Sequence, residues 1–154
     1  MKHFFEYNWQ KREEWFDWCE KLSEEQLWQE RVGGVGSIGE TLLHIVGVEY
    51  SWICDILEKT DEAVPRHSLA GIRTLSNELR PEIVAFLTTK YDPQQIVVDR
   101  GNQHTIDAIL HHIIIHEIHH IGQLSVWARE LHLAPISANY VREHFPSLEK
   151  YFEK

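Results

Sequence analysis

The chain has 154 residues, and its 15 lysines and arginines against 24 aspartates and glutamates give a net charge of −9 with histidine neutral. This length predicts a single domain over residues 1–154, with a core that needs no disulfide support. The acidic balance argues against nucleic-acid binding, because affinity for phosphates comes from lysine and arginine. We expect no membrane span and no signal peptide, and therefore a cytoplasmic protein.

Amphipathic helical patterns dominate the first part of the chain. Apolar residues recur at helical spacing over residues 2–22, which predicts a first long helix. Residues 23–26 form a capping box that begins a short helical turn. The glycine-rich segment 33–36 lacks the Lys-Ser/Thr of a phosphate-binding loop, so we interpret it as a plain loop. A second capping box at residues 37–40 begins a second long helix that ends near Glu58.

The middle of the chain combines one helix with a short extended segment. Residues 61–67 are predicted to form a linker. Residues 68–89 predict a third long helix, and Pro81 within it should kink or split it. Residues 95–102 look extended with a turn, as in a small hairpin.

The fourth long helix is predicted over residues 105–132, with Thr105 as its N-cap. The tail, residues 137–152, adds one more short helix. Four long amphipathic helices predict an all-α fold, an up-and-down-type four-helix bundle with a hairpin-like link and a short C-terminal helix.

The two cysteines, Cys19 and Cys54, do not form a CxxC pair, so no disulfide framework is indicated. Both lie inside amphipathic helical patterns. Cysteine in such a position is typically a small buried apolar residue.

Histidine is the unusual residue of this sequence, with eleven copies, seven of them between His104 and His132. His116 and His120 are one helical turn apart and share a helix side with apolar residues, so both imidazoles should point into the core. This spacing lets two ring nitrogens bind one metal ion at about 2.0–2.1 Å.

A metal site needs a third ligand, and the best candidate is His44, near the edge of the apolar stripe of the second helix. Three histidines with an open fourth position are typical of a catalytic site, where the metal lowers the pKa of bound water or of a bound thiol. His112 lies at the margin of the same face and is a weaker candidate. We expect His119 to be exposed or to support a ligand.

Glu117 falls by angle within the apolar face, where a carboxylate must be paired. Three roles stay open: support for a histidine of the site, a general base, or a salt bridge to a neighbouring helix. His116 to His120 also matches the HExxH string of zinc peptidases, with Glu143 as a downstream ligand. The longer metzincin form is absent and the chain is nearly all helical, so a metallohydrolase ranks third.

Several short motifs follow one another along the chain: Tyr7-Asn8-Trp9, Leu-Ser-x-Glu at 22–25, His44 followed by Glu49 and Trp52, and His-His-x-Gly-Gln at 119–123. Their order resembles the DinB/YfiT-like superfamily of bacterial proteins over almost the whole chain. Ile121 departs from the family pattern, in which arginine is common at that position.

The resemblance implies a four-helix bundle, a homodimer in many members, and a divalent metal, often nickel or zinc, held by His44, His116 and His120. Characterised relatives are transferases and isomerases that use mycothiol, bacillithiol or glutathione. Our leading hypothesis is a metal-dependent transferase of a low-molecular-weight, bacillithiol-like thiol onto a small electrophile. The alternative is a non-catalytic metal-binding or stress-response helical dimer.

A pocket for the small-molecule substrate or the thiol should adjoin the metal. Trp52 and Trp127 are candidates for its walls, although aromatic residues at helical spacing are also typical of a core. Gln123 and Arg12 are candidates for orienting a polar group of the ligand. Three neutral imidazoles suit zinc, nickel, copper or iron, so the ligands do not select the metal.

Overall fold

The computed structural model describes residues 1–60 and 68–141. This part of the chain is mostly helical and includes a small two-stranded sheet. Its elements in chain order are α1 (Lys2–Cys19), α2 (Glu24–Trp28), α3 (Ile38–Leu57), α4 (Leu69–Thr89), β1 (Ile96–Asp99), β2 (Asn102–Thr105) and α5 (Ile106–Glu130). The predicted linker over 61–67, and all but the first residues of the predicted C-terminal helix, lie outside the described residues. No helix in these ranges is both long and apolar enough to cross a bilayer.

Side-chain caps fix where the helices begin. The Ser23 hydroxyl accepts from the amide of Gln26, whose side chain accepts in return from the amide of Ser23, which is the predicted capping box. At residues 37–40 the Ser37 hydroxyl accepts from the amide of Glu40. Thr105 caps α5 in the same way and joins it directly to the hairpin.

The hairpin pairs β1 with β2 in antiparallel register, from Ile96 opposite Thr105 to Asp99 opposite Asn102. Its turn, Arg100-Gly101, has positive φ at both positions, the conformation that a two-residue hairpin requires. The predicted hairpin is therefore present, and its second strand continues to the start of α5.

Helix α4 runs through Pro81 without a break, so the expectation of a split is wrong. Pro81 is exposed, whereas Leu79 and Ile83 on either side of it are buried. The packing of these two side chains holds both halves of the helix, and water can reach the carbonyl that the proline leaves without a partner.

Two apolar clusters fill the space between the long helices: a hairpin-side cluster that includes Phe5 and Val97, and an α2-side cluster that includes Leu27 and Leu42. Helices α3 and α1 each pack against both α4 and α5. Between the two clusters lie four polar residues, one from each long helix, that are joined by hydrogen bonds from Arg12 and are each at most 1 % exposed. We call these four residues the central polar layer: Arg12 of α1, Glu49 of α3, Ser76 of α4 and Glu117 of α5.

The order of the clusters along each helix gives the helix directions. Helices α1 and α5 run from the hairpin-side cluster to the α2-side cluster, whereas α3 and α4 both run the opposite way. The expected up-and-down order is therefore wrong, because α3 and α4 are parallel. Helical periodicity identifies the buried face of a helix but not its direction, so the sequence pattern does not distinguish parallel from antiparallel neighbours.

Candidate metal centre

Three histidines come together between α3 and α5. His44 lies in the second turn of α3, and His116 and His120 lie one turn apart in α5. The Nε2 atom of His116 is 3.0 Å from Nε2 of His44 and 3.1 Å from Nε2 of His120. One ring nitrogen from each residue lies within 4.8 Å of the other two, which is close enough to share one ion.

Gln123 sets the orientation of one of these rings. Nδ1 of His120 lies 2.7 Å from Oε1 of Gln123. Because an amide oxygen only accepts, Nδ1 of His120 donates, and its Nε2 keeps a lone pair that faces His116. The amide nitrogen of Gln123 donates to Nε2 of His119 at 3.0 Å. Gln123, a candidate for binding a cofactor, thus has its amide bound to two histidines of α5.

The donor set fits a divalent ion. If Nε2 of His116 carries a proton, that proton can be donated to Nε2 of only one neighbour, His44 or His120. The Nε2 lone pair of the remaining histidine then has no hydrogen-bond donor from His116. A metal ion would accept one lone pair from every ring. In a tetrahedral site with bonds of 2.0–2.1 Å, neighbouring nitrogens are about 3.3 Å apart. The two separations from His116, 3.0 and 3.1 Å, need only a slight opening to reach that value.

The surroundings favour neutral rings. Burial, together with His120 and His44, lowers the pKa of His116 to about 4. Burial and the neighbouring His120 also lower the pKa of His44. A neutral imidazole is the form that binds metal, so these two ligands are already in the neutral form at neutral pH.

The glycine loop before α3 packs against the same region. Nε1 of Trp127 donates to the carbonyl of Val32 at 3.3 Å. Gly34 has φ +58°, and a Cβ at this position would lie 2.6 Å from the Trp127 ring and 2.9 Å from Oε1 of Gln123. Trp127 is buried beneath this loop. The structure therefore places it in the core and not as an open wall of a pocket.

Trp52 lines an open cavity of about 290 Å³ beside the histidines. Its ring centre is 5.6 Å from that of His104 and 6.3 Å from that of His112. The ring of His112 is in turn 5.5 Å from that of His116. His112 is exposed and is not one of the three histidines whose nitrogens converge. Its ring lies between the cavity and His116, a ligand of the candidate metal centre.

Glu117 is paired with Arg12. Nε and Nη2 of Arg12 donate to the two carboxylate oxygens of Glu117 at 2.8 and 2.6 Å. Of the three roles left open for Glu117, the structure shows the salt bridge to a neighbouring helix. Both oxygens are occupied, which argues against a general base of the HExxH kind. Glu143, the downstream ligand of that interpretation, lies outside the described residues.

Arg12 is enclosed by protein, so the expectation that it orients a substrate group is wrong. Its Nη1 and Nη2 atoms donate to the carboxylate of Glu49 at 2.8 and 2.9 Å, and Nη1 also donates to Ser76 at 2.9 Å. Burial alone would lower the pKa of Arg12, but the charges of Glu117 and Glu49 outweigh it and raise that pKa. Two carboxylates share one guanidinium, and burial raises the pKa of Glu117 in spite of the ion pair.

Sequence patterns did not indicate that four polar residues meet in the central polar layer, or that His104 and His112 both contact Trp52. The sequence does contain a signal for the first. Arg12 lies three residues after Trp9 and four before Phe16, on the side of α1 that carries the core. A charged residue at such a position needs a buried partner. No comparable periodicity marks His104, which precedes α5.

Comparisons with known proteins agree with this architecture. The chain is 48% identical over 159 residues to an uncharacterized protein of Bacillus subtilis strain 168, YizA, with 98% of this chain and 100% of the relative covered. The fold is similar to the crystal structure of a DinB-like protein from Bacillus cereus ATCC 10987, with a TM-score of 0.69 and 21% sequence identity, covering 90% of this chain and 97% of the other. The family model described as DinB family matches residues 1–151, and the chain therefore belongs to the DinB family.

Proposed function

We propose that this protein binds a divalent metal ion through His44, His116 and His120 and transfers a low-molecular-weight, bacillithiol-like thiol onto a small electrophile. The convergence of three Nε2 atoms, with both neighbours 3.0–3.1 Å from that of His116, carries the proposal. Three histidine ligands leave a fourth position open, and an ion there lowers the pKa of a thiol that binds it. Zinc and nickel are the proposed metals, since both suit imidazole.

The sulfur nucleophile has to come from a small molecule. Cys19 and Cys54 are the two cysteines of the chain, and both are buried thiols that form no disulfide. Burial raises the pKa of the Cys19 thiol to about 12, so it stays protonated and unreactive at neutral pH. The protein's own thiols therefore neither reach the metal nor substitute for an added thiol.

The cavity beside Trp52 is the proposed binding site for the electrophile. It adjoins the metal ligands through the contact of His112 with His116. The indole ring offers an apolar face, and the imidazoles of His104 and His112 offer hydrogen-bonding nitrogens. A small, flat substrate with a polar substituent fits these walls.

The second candidate is a metal-binding helical dimer without catalysis. Three large apolar side chains of α5 are at least half exposed, namely Ile115, Ile118 and Val126. A second copy of the chain would cover such a surface, and the family resemblance implies homodimers. Light scattering of the wild type and of Ile118→Glu tests the dimer, which the variant should dissociate.

Elemental analysis of untagged protein, purified without nickel resin, tests the metal site. We expect about one ion per chain in the wild type and loss of that ion in His44→Ala, His116→Ala and His120→Ala. His111→Ala is the matched control, because His111 is an exposed histidine of the same helix. Full metal content in the three site variants would overturn the site.

The cobalt-loaded protein separates catalysis from mere binding. A thiol that binds the open position should change the visible spectrum of cobalt, and bacillithiol, mycothiol and glutathione are the thiols to compare. Conjugation of the same thiol to monochlorobimane should require both the ion and His44. A spectrum that no thiol changes would favour the non-catalytic dimer.

A further inference from the structure

Arg12 binds both helices that carry the candidate metal ligands. It donates four hydrogen bonds to two carboxylates, two to Glu49 of α3 and two to Glu117 of α5, at 2.6–2.9 Å. A further donor belongs to the cluster, because Nε1 of Trp9 donates to Glu49 at 3.2 Å. One guanidinium on α1 is thus hydrogen-bonded to both α3 and α5.

The two carboxylates lie close in sequence to the candidate ligands. Glu117 directly follows His116, and Glu49 follows His44 by five residues. At 1.5 Å per residue, five residues correspond to about 7.5 Å along a helix axis. A displacement at the central polar layer is therefore transmitted to the histidines with little room for the helix backbone to absorb it.

Stability alone does not account for this cluster. Buried ion pairs are often no more stabilising than apolar side chains of similar volume, because the desolvation cost offsets the attraction. Here two carboxylates share a single arginine, so the attraction offsets even less of the desolvation cost. The planar guanidinium of arginine forms two parallel hydrogen bonds to each carboxylate, and this geometry permits only one relative position of the helices that carry the carboxylates. Apolar side chains in contact allow the helices to shift along each other.

We propose that Arg12 is a positioning residue that fixes the register between α3 and α5 and so brings His44 to His116 and His120. The proposal rests on the proposed metal site and concerns how that site is built. Its role resembles that of a single buried polar residue that sets the register of a coiled coil.

An apolar replacement of the layer separates positioning from stability. The variant Arg12→Met/Glu49→Leu/Glu117→Leu removes all three charges and keeps roughly the same volume. We expect it to unfold at a temperature no lower than the wild type. Its affinity for zinc, measured by chelator competition, should nevertheless fall about tenfold or more, as for the loss of groups that orient ligands. Unchanged zinc affinity in this folded variant would overturn the proposal.

Arg73→Met is the matched control. Arg73 joins α4 to carboxylates of α1, among them Glu13 and Asp17, and it contacts neither metal-bearing helix through these bonds. Its loss should leave zinc affinity unchanged. If the triple variant does not fold, Arg12→Lys decides in its place, because lysine keeps the charge but cannot hold two carboxylates with a fixed fork. A zinc affinity equal to that of the wild type would again overturn the proposal.

A readout without metal keeps this proposal separate from the proposed function. In the metal-free protein, the ¹⁵N shifts of the His44 and His116 imidazoles report their 3.0 Å nitrogen contact. We expect this contact in the wild type and in Arg73→Met, and its loss in the Arg12 variants. If the wild type binds no metal, the proposed function fails while the imidazole shifts still decide the role of Arg12.

Discussion

Nδ1 of His120 donates to Oε1 of Gln123 across 2.7 Å, so the side chain of one α5 residue fixes the tautomer of another three residues earlier. Gln123→Leu removes this acceptor and frees the ring to rotate or to exchange its proton. We expect the affinity for zinc to fall roughly 10–100-fold, the usual cost of losing a partner of a metal-bound histidine. Gln123→Glu keeps an acceptor and should bind zinc more tightly than Gln123→Leu. Equal zinc affinities for these two variants would show that the hydrogen bond to His120 does not affect zinc binding. Gln10→Leu is the control, because Gln10 is exposed.

The glycine loop offers a pair of substitutions that differ in one respect. Gly33 and Gly34 both have positive φ, so alanine strains the backbone at either position. Only at Gly34 would the added Cβ collide with Gln123 and Trp127, whereas at Gly33 nothing lies within 4 Å. We expect Gly34→Ala to weaken zinc binding as well as stability, and Gly33→Ala to reduce stability alone. Competition titrations and thermal unfolding measure both, and equal zinc affinities in the two variants would contradict the expectation.

Cys19 and Cys54 should resist thiol reagents while the protein is folded. Both are buried, and the pKa of the Cys19 thiol is raised to about 12 by burial, so almost no thiolate is present at neutral pH. We expect negligible reaction with Ellman's reagent in buffer and reaction of both thiols in guanidinium chloride. Lys21→Cys, an exposed position near the end of the same helix, provides a reactive reference. Fast labelling of Cys19 in the native wild type would show that this part of the core opens readily.

Tyr91 predicts an alkaline dependence of stability. Burial and the hydrogen bond from its hydroxyl to Asp107, at 2.6 Å, raise its pKa to about 12. Because the folded pKa lies above the unfolded value of about 10, the contribution of the protonated hydroxyl is complete below about pH 10 and is lost as the pH rises toward 12. The stability difference between wild type and Tyr91→Phe, from urea unfolding, should shrink over this interval. Asp107→Asn should lower the pKa of Tyr91. In a spectrophotometric titration, the highest tyrosine pKa of the wild type should be missing from Tyr91→Phe, and its presence in that variant would contradict the assignment.

The histidines of the candidate centre could be proposed from sequence because helix geometry constrains them strongly. Residues four apart on an apolar helix face must meet the same neighbours, so His116 and His120 implied a common partner. His44 required a guess about which helix lies opposite α5. The structure brings the three nitrogens together, whereas the binding of an ion and its identity both stay predictions.

Other features follow from packing across the sequence and have no local signal. Arg12 and Glu117 are 105 residues apart, and no spacing rule joins them. The parallel course of α3 and α4 is not recorded by periodicity, which identifies the buried face of each helix but not its direction. Trp127 appeared as suitable for a pocket wall as Trp52, and only the loop over Trp127 separates the two.

His44 and His116 are 72 residues apart in the chain, and this distance determines when an ion can be captured. During synthesis, α3 is made before α5, so His44 has neither partner until α5 has been made. In an unfolded chain, joining these residues requires closure of a long loop before any contact compensates for the lost entropy. Capture of an ion at the proposed site would then be a late event that follows the docking of α5 on α3. A truncated or partly made chain would have no centre to fill, and the bound ion would mark those molecules whose folding is complete.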